Sequence, residues 1–288
     1  PPAAGALSAL QKVDRTILRL NRLLASPGGL SAFLSTFNYV LYVLAYLQIK
    51  SPAISAFARR ILALVRKDGS LKPPTSTLVA DGAAAAAAVP SLAAFGALIS
   101  KARTTLRLFG LFPLYAWLRA LLSGPKQGAD LVLHRIAVLQ ASSYFVYQAL
   151  ENVSLLADCG VVPGKVIALI NRGDSRTGMV YLWAYRAWLG GVSCDFLRLA
   201  REAQIEKQRR ATRKQMQTEG KAVAAYQEEE DRKVDIKWWT DLVIASAWFP
   251  MALNFSSEKG IPGWNLGWMG LCGLVAGSTR ASALWEST

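Results

Sequence analysis

Residues 7–25 read LSALQKVDRTILRLNRLLA, and this stretch decides the fold class. Lys12, Arg15, Arg19 and Arg22 recur at spacings of 3, 4 and 3. At helical periodicity these four project from one side. Val13, Ile17, Leu20 and Leu24 recur at spacings of 4, 3 and 4, and project from the other side. The spacing predicts an α-helix with a cationic face and an aliphatic face. Such a helix lies in a membrane interface, its aliphatic side in the acyl boundary. The same pattern also describes a surface helix resting its apolar stripe on a protein core.

Composition tilts that choice. The chain has 288 residues, 52% of them hydrophobic and 18% charged, with a mean hydropathy of +0.25. A soluble domain is about 45–50% apolar and roughly 25% charged. Charged surface is therefore short for a soluble globule. Disorder is excluded for most of the chain, because apolar content is too high. Three cysteines exclude a disulfide scaffold. The net charge is +14, and it is concentrated: residues 1–126 hold 15 bases and 3 acids, residues 238–288 hold 2 and 3. A chain both basic and greasy suits anionic membrane lipids; nucleic-acid partners call for basic surfaces without the grease, so no nucleic acid is expected.

Leu98–Leu122 repeats the theme with four bases (Lys101, Arg103, Arg107 and Arg119) and no acid. Ile99, Ala102, Leu106, Phe109, Pro113 and Trp117 share one side at helical spacing. Pro113 should kink or split the helix. The eight bases of the two segments (Lys12, Arg15, Arg19, Arg22, Lys101, Arg103, Arg107 and Arg119) are the candidate membrane-surface contacts.

The remaining apolar segments read as helices, with no sustained period-2 alternation. Leu30–Ile49 is twenty residues without a charge, long enough to span a bilayer, though weakened by Ser, Thr, Asn and Gln. Ile136–Leu150 is uncharged, and Gly178–Leu197 carries Arg186 in its middle. A central Arg costs roughly 2.5–3.5 kcal/mol on insertion scales, so Arg186 is read as a buried charge or a pore-lining one. Residues 238–288 hold six of the nine tryptophans, with glycines at 263, 267, 270, 273 and 277. Tryptophans flanking apolar stretches resemble an aromatic belt, and GxxxG spacing lets helix backbones approach. The expectation is a C-terminal transmembrane hairpin turning at Ser256–Pro262. Gly263, Gly267, Gly270, Gly273 and Gly277 would serve packing within the hairpin or self-association into a homo-oligomer. A soluble all-α bundle with large buried helices shares many of these features.

The chain divides into 1–67 (basic amphipathic helix plus hydrophobic helix), 68–90 (Pro/Gly/Ala-rich flexible linker), 91–197 (central amphipathic and hydrophobic helices), 198–237 (charged helix or loop) and 238–288 (the hairpin). The fold class is all-α, a membrane protein with interfacial helices.

Residues for catalysis are scarce. His134 is the lone histidine, and Cys159, Cys194 and Cys272 form no CxxC. Gly160–Lys165 falls one residue short of a phosphate loop, with Val166 where Ser or Thr is needed. No enzyme activity, metal or cofactor is expected.

Five stretches, in order, resemble the peroxin-11 family of peroxisomal membrane proteins, especially its longer filamentous-fungal forms. They are Leu18–Leu24 with Gly29–Tyr39 and Leu44–Leu47; Lys101–Leu122; Tyr144–Val162; Arg186–Trp188; and Gly267–Gly277. The Lys72–Pro90 insertion departs from the family pattern. The resemblance implies a peroxisomal membrane location, remodelling, elongation and division of peroxisomes through amphipathic helix insertion, self-association, and contact with the peroxisomal fission machinery. It also implies an alternative, a pore or channel for small metabolites.

Overall fold

The computed structural model describes residues 2–50, 91–219 and 227–288, with side chains from Gln11 onward. The linker expected at 68–90 lies outside the described residues. Every described element is helical: α1 (Pro2–Ala25), α2 (Pro27–Lys50), α3 (Ser91–Leu106), a 3-10 turn (Arg107–Gly110), α4 (Leu111–Leu122), α5 (Leu131–Asp158), α6 (Gly164–Ile170), α7 (Gly178–Thr218), α8 (Gln227–Ser256) and α9 (Leu266–Glu286). They form two compact units, one of residues 1–103 with 265–288, the other of residues 104–264.

The first unit is built on α2 and α9, which run antiparallel. Ser26 accepts from the backbone N–H of Gly29 (3.0 Å), which starts α2 immediately after α1. An added Cβ at Gly267 would sit 2.8 Å from the Tyr46 ring, at Gly270 2.7 Å from the Tyr39 carbonyl oxygen, and at Gly273 against the Tyr39 ring. Only glycine lets the two backbones come this close. The last helix thus packs on the second one. The C-terminal hairpin expected from the tryptophans and glycines is not formed: α8 packs on α7 within the other unit. The glycine stripe fits the Tyr39, Val43 and Tyr46 ridge of α2, whereas the apolar face of α8 is taken up by the face of α7 that bears Trp188 and Phe196.

The second unit is an antiparallel bundle of α5, α7 and α8. Asp130 caps α5 by accepting from the Leu133 N–H (2.9 Å). At the far end Asp158 accepts from Thr177 (2.7 Å) and Tyr181 (2.9 Å), tying α5 to the start of α7. Between them Tyr147, Tyr185, Trp188, Trp248 and Phe255 stack at centroid distances of 5.3–6.5 Å. The charged stretch 198–237, where described, is the facing ends of α7 and α8. Arg213 pairs with Asp231 (2.8 Å), Arg210 with Asp235 (2.7 Å) and Arg198 with Asp241 (3.3 Å). Opposite charges at matched levels on antiparallel helices fix register where apolar side chains are few.

Arg201 (2.7 Å) and the cap hydrogen bond hold the Asp130 carboxyl down at about 2. A carboxyl depressed below its unfolded value near 3.8 adds stability at pH values above 3.8, and that part is lost as pH falls through about 2. Stability measured by circular dichroism should therefore hold a flat contribution from this pair between pH 7 and pH 5 and decline in acid; Asp130→Asn should remove that acid-side component.

Candidate membrane interface

The apolar segment Ser91–Leu122 is 32 residues long, and none of its most hydrophobic window is buried by the rest of the chain. Leu98, Leu106, Phe109, Phe112, Tyr115 and Leu122 all stand exposed, Phe109 and Phe112 by 70% and 73%. Pro113 acts one turn upstream of itself. Its ring clashes with the carbonyl four residues back and it donates no N–H, so the chain passes through the 3-10 turn at Arg107–Gly110 before α4 begins. Pro27–Lys50 is the other described helix long and apolar enough to cross a bilayer; its 24 residues cover about 36 Å.

The four bases of the 91–122 segment do not act alike. Arg103 turns inward. It donates to Ser35 (3.0 Å), lies 5.1 Å from the centre of the Tyr39 ring, and with the Asn38 amide oriented to suit its neighbours donates to that side chain (3.1 Å). Arg107 forms a two-pronged pair with Glu151, Nε to Oε2 at 3.1 Å and Nη2 to Oε1 at 2.9 Å. The Glu151 side chain is 3% exposed. Tyr147 Oη (2.9 Å) and Gln148 Nε2 (3.3 Å) also donate to it. Asn152 donates to the Leu108 carbonyl (2.9 Å) and accepts from Gln148 (2.7 Å). Together these groups bolt the 3-10 turn to α5 and satisfy a carboxylate that would otherwise be costly to bury. Lys101 and Arg119 are exposed.

In α1, Lys12 and Arg15 are exposed, as are Val13, Ile17 and Leu24 on the aliphatic side. Arg19 lies 4.3 Å over the Trp285 ring and donates to the Trp285 carbonyl (2.6 Å), while Arg22 donates to the Thr288 carbonyl (3.1 Å). These two bases meet the carbonyl end of α9, where a cation also complements the helix dipole.

The glycines divide too. Gly267, Gly270 and Gly273 face α2. An added Cβ at Gly277 meets nothing within 4 Å, and Gly263 stands in the turn before α9 with φ 78°, a left-handed conformation natural to glycine. Arg186 lies 4.9 Å from the Trp183 ring, donates to the Ser256 carbonyl (3.3 Å) at the end of α8 and pairs with Glu258 (3.7 Å). Its charge is accounted for by a helix terminus and a partly exposed acid.

Residues 76–285 match the family model described as Peroxisomal biogenesis factor 11 (PEX11). The chain belongs to this family. PEX11 proteins are peroxisomal membrane proteins that act in peroxisome biogenesis and proliferation, and the family is not known as enzymatic. The match runs through both compact units and includes the Arg107–Glu151 cluster and the glycine stripe of α9. It begins after α2, so the helix that receives those glycines lies ahead of the matched region. No curated protein and no solved structure shows a significant match.

Glu151 is the functional-site residue that helical spacing did not single out. One signal was present: it is the lone acid between Arg135 and Asp158 in an otherwise apolar helix. Its partner Arg107 lies 44 residues away, beyond the reach of any local pattern.

Proposed function

We propose that this PEX11 protein remodels the peroxisomal membrane by inserting apolar helical segments into one leaflet. The observation that carries the reading is the acid-free 91–122 segment, whose Phe109 and Phe112 stand largely exposed. With Arg103 and Arg107 satisfied by Ser35, Asn38 and Glu151, the segment enters a bilayer carrying fewer charges to hydrate than its composition suggests. Added area in one leaflet favours curvature. Lys12 and Arg15 add electrostatic attraction to anionic headgroups, about 1 kcal/mol each. The α2–α9 pair anchors the chain. Self-association and contact with the fission machinery belong to the same reading, with Gly277 the open end of the glycine stripe.

Purified full-length chain should bind and tubulate vesicles containing anionic phospholipid. Phe109→Asp with Phe112→Asp should abolish tubulation; tubules indistinguishable from wild type would sink the wedge reading. Lys12→Gln with Arg15→Gln should weaken vesicle binding by about 5-fold per charge, as scored by flotation. These two bases make a cleaner test than Arg19 and Arg22, whose replacement also releases the end of α9.

A further inference from the structure

Among the described residues, the sharpest apolar exposure lies outside the 7–25 and 91–122 segments. Leu169, on the two-turn helix α6, is 85% exposed. Val166 and Ile170 on the same helix and Val161 just before it are exposed as well. The helix is not loose: Ile167, in its middle, is fully buried against the bundle, and the Asp158 bonds to Thr177 and Tyr181 close the loop at its base. Four large aliphatic side chains are thus presented on a fixed, convex knuckle.

Two further observations say what covers it. Lys165 and Arg172 flank the aliphatic residues, are exposed, and have no ion-pair partner among the described residues; the nearby acid Asp174 is already bound by Arg176 (2.7 Å). Several backbone N–H groups at the two ends of the knuckle are bonded within it. Val161 and Val162 donate to the Leu156 carbonyl (2.8 and 3.2 Å), Asn171 to the Ile167 carbonyl (2.8 Å) and Gly173 to the Ala168 carbonyl (2.7 Å). A segment entering the headgroup and acyl boundary must bring its backbone already paired. A two-turn knuckle is also far smaller than the roughly 800 Å² per partner of a stable protein interface. Small, convex, aliphatic at the tip and cationic at the collar is the shape of a monolayer contact.

We infer that the α6 knuckle dips into an anionic phospholipid monolayer, with Val161, Val166, Leu169 and Ile170 at acyl depth and Lys165 and Arg172 on headgroup phosphates. It is a second lipid contact, carried by the bundle unit. It rests on the membrane reading above only in requiring a bilayer to be present.

The test places a p-benzoylphenylalanine photo-cross-linker at position 169 of the full-length chain, and separately at position 112. Both proteins are reconstituted with phosphatidylcholine vesicles, with and without phosphatidylserine. Mass spectrometry should find phospholipid adducts at 169 in the phosphatidylserine vesicles. Their yield should fall about 5-fold with each of Lys165→Gln and Arg172→Gln. Adducts at 112 without adducts at 169 would overturn the knuckle contact and leave the wedge reading standing. Absence at both positions would remove both. Cross-links from 169 to a second copy of the chain would overturn the lipid assignment in favour of a protein contact. Adducts at 169 that ignore both phosphatidylserine and the Gln variants would overturn the role of the cationic collar.

Discussion

Arg107→Leu should lower the stability of the bundle unit by about 3–5 kcal/mol, because it strands the Glu151 carboxylate without its counter-ion. The Glu151 side chain is 3% exposed, so water does not replace the lost guanidinium. Tyr147 and Gln148 still donate to it, but neutral donors offset only part of the cost of a buried charge. Glu151→Gln should be milder, about 1–3 kcal/mol. It keeps an acceptor for Tyr147 and leaves the more exposed partner, Arg107, to be hydrated. Arg107→Leu combined with Glu151→Leu should lose less than Arg107→Leu alone, since no buried charge remains unpaired. Thermal and urea unfolding in detergent micelles, followed by circular dichroism, reads all three. A wild-type unfolding curve for Arg107→Leu would mean that the carboxylate is not desolvated. The functional consequence follows from position. The pair fixes the 3-10 turn from which Leu111–Leu122 departs, so the variant should tubulate vesicles poorly even where it remains bound.

Gly270→Leu should be the most damaging substitution in the other unit. The added Cβ would lie 2.7 Å from the Tyr39 carbonyl oxygen and 2.9 Å from the Val43 amide nitrogen. Both are backbone atoms, so no rotamer change relieves the overlap and α2 must separate from α9. Overpacking of this kind costs about 1–3 kcal/mol, before the loss of the remaining close contacts along the pair. Gly277→Leu is the internal control. It lies two turns on, in the same helix, with nothing within 4 Å of its Cβ position. Replacing a helical glycine there should be neutral or stabilising by up to about 1 kcal/mol. Equal melting of the two variants would show that the stripe is not packed against α2.

The helices themselves were legible residue by residue. The alternation of Lys12, Arg15, Arg19 and Arg22 with Val13, Ile17, Leu20 and Leu24 called for a helix, and α1 covers it. Pro113 announced a break, and the break falls at Arg107–Gly110 because the ring's clash is with the preceding turn. What the pattern did not separate was the fate of like residues. Arg103 and Arg107 look the same as Lys101 and Arg119 on a helical projection, yet Arg103 and Arg107 are committed to Ser35, Asn38 and Glu151. Arg186 reads from its own apolar helix as a buried or pore-lining charge, and the pattern gives no sign of the groups it meets, the Ser256 carbonyl and Glu258, which lie outside that helix. The glycines announced a close helix pair, and adjacency in sequence suggested the wrong partner.

By itself the sequence determined an all-helical chain, greasy and cationic at its N-terminal end, with apolar helices long enough to cross a bilayer. Periodicity and composition are local properties, so they survive without knowledge of any neighbour. Only the tertiary structure decided that α9 lies on α2, that Glu151 neutralises Arg107, and that Leu169 stands uncovered. Each of these depends on complementary shape or charge between elements distant in the chain. A ridge of Tyr39, Val43 and Tyr46 matches a row of glycines only once both helices are formed.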